Sequence, residues 1–157
     1  LPPDELASAY ADVLDKGDES EFAGMFDEQS DLFRAGVVAD RKERLDDFNE
    51  TGAETGSLTF SAAAGEFPPF AIATLESGAI VAVSIAETDT VKPTNEDAVI
   101  KLDNNATVKT LSGADQSASG FSTTFSDQLF FYVPEKGSNE PIRLLGYSSS
   151  ILKGSVL

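Results

Sequence analysis

The stretch of sequence that decides the fold is FAIATLESGAIVAVSI, residues 70–85. Phe70 and Ile72 alternate with small residues, which is the period of two that is typical of a β-strand. Residues 76–78 read Glu-Ser-Gly and are typical of a hairpin turn. The run 79–85 is continuously β-prone, which favours a central strand of a sheet. We therefore predict a β-hairpin, with its second strand in the middle of the sheet.

Further strands are expected on both sides of this hairpin. Alternation of apolar and polar residues over 58–62 predicts one strand before it, and Pro68 with Pro69 ends that strand. The later expected strands, each bounded by Gly, Asn, Asp or Pro, cover residues 98–102, 107–111, 121–125 continuing into 129–133, and 142–147. The predicted sheet thus has about six strands.

The first third of the chain carries helical periodicity. Apolar residues at spacings of three and four begin at Leu6 and predict a helix that ends near Gly17. Acidic residues in capping-box positions predict a short second helix after Asp18 and a third helix over about 40–48. Helices first and strands later, without strict alternation, indicate an α+β fold, with N-terminal helices packed on a mainly antiparallel sheet.

The length and composition are those of one folded domain. A chain of 157 residues with 41% hydrophobic content can enclose a core of its own. We expect a single α+β domain over 1–157, with its helical part at about 4–50 and its sheet part at about 57–157.

The composition excludes many kinds of site. The chain has no His, Cys or Trp, which removes the usual proton shuttle, the thiol nucleophile and the common zinc ligands. With 27 acidic and 11 basic residues the net charge is −16, which disfavours nucleic-acid partners because phosphate binding needs Lys and Arg. No stretch reaches the roughly 20 apolar residues of a membrane helix.

No catalytic residue, metal or cofactor is assigned from the sequence. The acids of 40–50 lack the order of a calcium loop and are typical of a solvated helix face. Asp103, Asn104 and Asn105 begin like such a loop but lack its Gly and distal Glu.

A few residues qualify as weak ligand-binding candidates. Asp127 lies in an apolar strand region, where a carboxyl group can serve as a base or as the polar residue of a strand bend. Arg34 and Arg143 have the most apolar surroundings among the basic residues, and either could bind a carboxylate or pair with an acid of the chain.

Tyrosine hydroxyls complete this set, since they can line a pocket or satisfy one hydrogen bond at the rim of a core. The candidate ligand-binding residues are Tyr10, Arg34, Asp127, Tyr132 and Tyr147.

The N-terminal third resembles a known superfamily. Residues 10–18, Tyr-Ala-Asp-Val-Leu-Asp-Lys-Gly-Asp, followed by Phe22 and Phe26, are similar to the first helices of nuclear-transport-factor-2-like (NTF2-like) proteins. That resemblance implies a strongly curved antiparallel sheet wrapped around the helices, with a pocket between them.

The later half is similar to segments of uncharacterised actinobacterial lipoproteins. The similar segments are 75–81, 132–134 and 141–146. Such proteins are exported and tethered through an N-terminal lipidated Cys, so the resemblance implies an extracytoplasmic domain whose only membrane attachment is an anchor outside this chain. The first residue, Leu1, and the two prolines after it favour a piece of a longer or processed protein.

These observations lead to a first hypothesis with two alternatives. The first is a non-enzymatic extracytoplasmic binding or protein-interaction module, whose partner is an unknown small ligand or an envelope protein. The alternatives are an NTF2-like isomerase or hydrolase that uses a carboxylate and a Tyr, and a purely structural domain of a larger lipoprotein. The oligomeric state is left open.

Overall fold

A computed structural model describes all residues, 1–157, and confirms the α+β class. Short 3-10 turns connect the first two helices, at Gly17–Glu19, Ala23–Met25 and Glu28–Ser30. The helices are α1 (Pro3–Lys16), α2 (Leu32–Thr51) and α3 (Ala106–Ser112). The strands are β1 (Gly56–Ala64), β2 (Phe70–Ala73), β3 (Ala79–Pro93), β4 (Ile100–Lys101), β5 (Gln116–Ser117), β6 (Phe121–Val133) and β7 (Arg143–Val156).

The main sheet has five strands and is mainly antiparallel. Its order is β1-β3-β6-β7, and β2 also pairs with β3. The predicted hairpin is confirmed, since β2 and β3 pair antiparallel with Ile72 opposite Ile80 and Phe70 opposite Ala82. The prediction that residues 79–85 belong to a central strand is confirmed as well. Strands β4 and β5 form a separate antiparallel pair.

The chain folds into two compact units. The first unit comprises residues 1–38, 62–86 and 126–150, and the second comprises 39–61, 87–125 and 151–157. The expectation of a single domain stays a prediction. None of the helices combines the length and the apolar character that crossing a membrane requires.

The core of the first unit is built from α1 and the side of the sheet that faces it, here called the inner face. Leu6, Tyr10 and Val13 are fully buried on α1, as the predicted helical spacing requires. They belong to one cluster with Leu129 and Phe131 of β6. Burying each large apolar side chain contributes roughly 1.5–3 kcal/mol, so the contact between α1 and β6 stabilises the unit.

The core of the second unit is smaller. Leu102, Val108 and Phe121 are its buried residues, and Val91 and Ile100 pack against them. Gly120 allows the backbone to approach closely here, because its φ is +105° and a Cβ would lie 2.2 Å from the carbonyl oxygen of Val91. The unit therefore depends on one glycine that no other residue replaces without strain.

Residues 107–111 form part of helix α3, so the prediction of a strand there is wrong. Thr107, Val108 and Thr110 favour strands, but the ends of the segment favour a helix. The Asn105 side chain accepts a hydrogen bond from the Val108 amide at 3.0 Å, and Gly113 ends the helix in the left-handed conformation. Two good caps outweigh a weak β preference over seven residues.

The helix predicted over about 40–48 starts earlier, at Leu32, because the N-cap is Asp31 rather than Asp40. Its carboxylate accepts the Arg34 amide at 2.9 Å, which is the interaction of a capping residue. The short helix predicted after Asp18 is present only as the 3-10 turns at 17–19 and 23–25. The sequence therefore predicts the existence of the helical segments better than their boundaries.

Candidate functional site

Tyr10 and Arg34, two of the candidate ligand-binding residues, meet through Asp31. The Tyr10 hydroxyl donates to both carboxylate oxygens of Asp31, at 2.8 and 2.9 Å, and the Arg34 backbone amide donates to one of them. The Arg34 guanidinium pairs with Asp18 at 2.8 Å. Burial raises the pKa of Asp31, although the hydrogen bonds from Arg34 and Tyr10 act in the opposite direction.

The surroundings of this pair are filled by the protein's own rings. The Tyr10 ring packs edge-on against Phe26 and Phe131, with centroid distances of 5.2 and 4.9 Å. Phe26 also contacts Phe131, at 5.8 Å. Tyr10, one of the three tyrosines considered for a pocket, therefore packs among other rings in the core.

Asp127 is fully buried on the inner side of β6. Its neighbours two and four residues further along, Leu129 and Phe131, are buried on the same side. Tyr147 lies elsewhere, half exposed, with its ring packed against Phe33 at 5.0 Å.

Tyr132 lies on the opposite side of the sheet, the outer face, next to the β2–β3 turn. Its hydroxyl donates to the carbonyl oxygen of Ser77 at 3.1 Å. Ser77 and Gly78 both have positive φ, and a Cβ on Gly78 would lie 2.8 Å from the Val133 carbonyl oxygen. The turn and the end of β6 are therefore held in close contact.

Arg143 extends this corner onto β7. Its guanidinium lies 5.1 Å from the centroid of the Tyr132 ring, a cation–π contact. The two residues, with those of the turn, surround an open pocket of about 570 Å³. Its lining residues are Thr74, Leu75, Glu76, Tyr132, Glu140 and Arg143.

A row of exposed apolar side chains crosses four strands beside this corner. Ile72 of β2 is directly opposite Ile80 of β3, so both point to the same face. Phe130 lies two residues from Tyr132 on β6, and Leu145 lies two residues from Arg143 on β7, which places both on the outer face. These four side chains, here called the outer row, are 38–56% exposed.

The outer row continues toward the tip and the edge of the hairpin. Phe70, two residues before Ile72, is 63% exposed, and Leu75 at the turn is fully exposed. Together with the outer row they make a contiguous apolar surface, which soluble proteins rarely expose without a use for it.

A second open pocket, of about 710 Å³, lies along the β6–β7 loop, residues 134–141. The loop is fixed by Ile142, whose amide donates to the Met25 carbonyl oxygen and whose carbonyl accepts the Asp27 amide, both at 2.8 Å. Residues of the loop line this pocket together with Met25 and Pro2.

The acidic helix face predicted over 40–50 is exposed, and its residues pair within the second unit. Lys42 pairs with Asp46 on the surface of α2. Arg44 binds Asp89 of β3 at 2.5 Å, and burial raises the pKa of Asp89 while Arg44 lowers it. No group of three or more acidic side chains is arranged to hold a metal ion.

Sequence reasoning missed the outer row. The signal was present in β6, where Leu129, Phe130, Phe131 and Tyr132 are apolar on both faces. The similar run of β3 is typical of a strand buried on both faces, yet Val81 and Val83 are buried while Ile80 is not. An apolar outer face without a covering layer can be recognised only when the position of the helices is known.

Comparison of the chain with known protein families, characterised proteins and solved structures found no match.

Proposed function

We propose that this chain is a non-enzymatic protein-interaction module that binds its partner through the outer face of the sheet. The observation that carries the proposal is the outer row, in which Ile72, Ile80, Phe130 and Leu145 remain exposed across four adjacent strands. Exposed apolar side chains that are contiguous across several strands are typical of an interface.

The charge of the chain is consistent with such a role. A net charge of −16 keeps molecules apart in solution, so an apolar face can be displayed without self-association. The same charge favours partners with a basic surface, since complementary charge speeds association and selects among partners.

The alternative of an NTF2-like enzyme has one observation in its favour. Tyr10 and Asp31 are a hydroxyl and a carboxylate in direct contact, and the pKa of Asp31 is raised by burial, as a general base requires. However, Asp31 also caps α2, and rings pack around Tyr10. Both groups therefore have a structural role, which leaves the interaction module as the better proposal.

The place where the module acts is proposed from resemblance alone. The likeness of segments 75–81, 132–134 and 141–146 to lipoproteins supports an extracytoplasmic domain, anchored from outside this chain. The likeness of residues 10–18 to NTF2-like proteins supports that finer description of the α+β fold. A purely structural domain of a lipoprotein is the remaining alternative.

Photo-crosslinking tests the interaction. Benzoylphenylalanine replaces Phe130 in cells that make the protein naturally, and the control replaces Thr124, which also lies on β6 but beside Thr88. We expect one discrete adduct from position 130 and none from position 124. The adduct should be lost when Leu145→Ser is added and kept with Leu152→Ser, which changes another exposed leucine of β7.

Three results would contradict the proposal. One is the absence of any adduct at position 130 in folded protein, and another is an adduct that is insensitive to Leu145→Ser. An adduct between two copies of the chain would also overturn it, because the proposal requires a different protein as partner.

A further inference from the structure

We propose that the open edge of β2 binds an extended segment of the partner, as an added β-strand that alternates apolar and basic residues. This inference rests on the proposed function and specifies the form of the partner. Three features of the first unit support it: the backbone of β2, the side chains beside it and the charge around it.

The backbone of β2 is available for pairing on one side. The Thr74 amide donates to the Gly78 carbonyl oxygen at 3.0 Å, so 74 and 78 form a hydrogen-bonded pair of the hairpin. Because such pairs alternate along an antiparallel ladder, Ile72 and Phe70 also bond to β3. The N–H and C=O groups of Ala71 and Ala73 then point away from β3.

Apart from its short length, this edge lacks the protection that is common in soluble proteins. Edge strands are usually blocked by charged side chains, Pro or bulges. The four residues of β2, Phe-Ala-Ile-Ala, include none of these, and all four are exposed. Pro68 and Pro69 stand immediately before β2, so an added strand would pair over about four residues, roughly 13 Å, and no further.

The side chains beside the edge select the residues of the added strand. A strand paired to β2 would place every second side chain next to Phe70 and Ile72, where it extends the apolar surface of the outer row. Apolar side chains are expected at those positions, because they bury exposed area on both partners. The other half of the added side chains would point to the opposite face.

The charge around β2 selects the remaining residues. The segment 65–78 contains Glu66 and Glu76 and no Lys or Arg. Both carboxylates are exposed and flank β2 along the chain, so a partner strand that carries Lys or Arg beside its apolar residues would be attracted to this edge. A second copy of this chain fits poorly, since it would bring two more glutamates and a net charge of −16 to the same edge.

Peptide binding tests the inference directly. The probe is a fluorescein-labelled heptapeptide of alternating Lys and Val, followed by fluorescence anisotropy in low salt. Three comparison peptides have alternating Glu and Val, Lys and Leu in helical spacing, and the Lys-Val sequence with N-methyl groups on the pairing side. We expect only the unmethylated Lys-Val peptide to bind, and at least about tenfold more weakly in 0.5 M salt because its charges are screened.

A matched pair of variants locates the site. Ala71→Pro removes an outward N–H from the edge while leaving the bonds to β3, and Ala71→Thr keeps the N–H. We expect Ala71→Pro to weaken binding of the Lys-Val peptide by up to about tenfold, which is the effect of losing one hydrogen bond. Ala71→Thr should change binding by less than about twofold. Should Ala71→Pro fail to fold, the N-methylated peptide tests the same bonds on the unmodified protein.

The strand inference is overturned if the Lys-Val peptide does not bind, if the helical peptide binds equally well, or if neither Ala71→Pro nor N-methylation weakens binding. Such a result together with a Leu145-dependent adduct at Phe130 would leave the interaction module standing without the added strand. The absence of any adduct at position 130 in the folded protein, without the Leu145 substitution, would instead remove the proposed function itself.

Discussion

Replacing Tyr10 by Phe tests how the first unit is held together. The substitution removes one hydroxyl and keeps the ring that packs against Phe26 and Phe131. Asp31 then loses the donor that reaches both of its oxygens, at 2.8 and 2.9 Å. Hydrogen bonds to charged groups contribute about 1.5–3 kcal/mol, so we expect a loss near 2 kcal/mol in the free energy of unfolding.

The loss should depend on pH. The pKa of Asp31 is raised mainly by burial, and the hydrogen bond from Tyr10 opposes that rise by favouring the carboxylate. Tyr10→Phe therefore raises this pKa further. The destabilisation should be full where Asp31 is charged and should shrink as the pH falls through the folded pKa, because a protonated Asp31 gains less from the hydroxyl.

In the parent protein, the burial of Asp31 makes its contribution to stability depend on pH in the opposite direction. Because the folded pKa lies above the unfolded one, the contribution of this carboxyl group to stability is complete below its unfolded pKa. That contribution is lost as the pH rises through the folded pKa. The comparison of variant and parent at each pH removes contributions that the two share.

Urea denaturation followed by circular dichroism, repeated from pH 7 to pH 4, measures both effects. A loss of 2 kcal/mol corresponds to a melting temperature lower by about 4–8 °C for a chain of this length. Tyr132→Phe is the matched control, because its hydroxyl bonds to Ser77 near the surface and should change stability by less than about 0.5 kcal/mol. Equal stability of Tyr10→Phe and parent at pH 7, or a loss that is constant with pH, would refute the reasoning.

Four further substitutions have expected effects that the same denaturation experiment measures. Asn105→Ala removes the cap of α3 and should lower the free energy of unfolding by about 1 kcal/mol, whereas an unchanged urea midpoint would show that the cap does not stabilise the protein. Gly120→Ala forces a Cβ against the backbone of Val91 and should cost more than about 2 kcal/mol, so a neutral result would contradict the close approach. Val83→Asp buries a charge and should abolish cooperative unfolding; a parent-like transition would place Val83 outside the core. Ser77→Gly relieves a positive φ and should stabilise by about 0.5–1 kcal/mol, whereas destabilisation would show that Ser77 is not strained.

Short-range signals in the sequence were sufficient for the hairpin and the first helix. Residues 70–85 carry a strand period, a turn and a second strand within one window, and Leu6 to Leu14 carry a helical stripe within another. The strand predicted over residues 107–111 was wrong because the β preference of these residues is a signal within that window. The caps that favour a helix, at Asn105 and Gly113, lie just outside it.

The surface of the site could not be predicted in this way. Ile72, Ile80, Phe130 and Leu145 are distant in sequence and form a row only through the register of three strand pairs. Likewise, Tyr10 meets Asp31 because of how α1 and α2 pack, and no spacing in the sequence indicates it. Of the candidate residues, Tyr132 lies beside this surface, but the reasoning from sequence concerned its hydroxyl and not its neighbours.

The two hydrogen bonds of Ile142 have a consequence for how the protein matures. They join the segment around Phe26 to the residue just before β7, which is far away in the sequence. Contacts between such distant residues close a long loop and form late in folding. The open pocket along the β6–β7 loop therefore forms only once Ile142 has been made and has returned to the segment around Phe26, so a molecule that binds there distinguishes folded protein from chains that stop before Ile142.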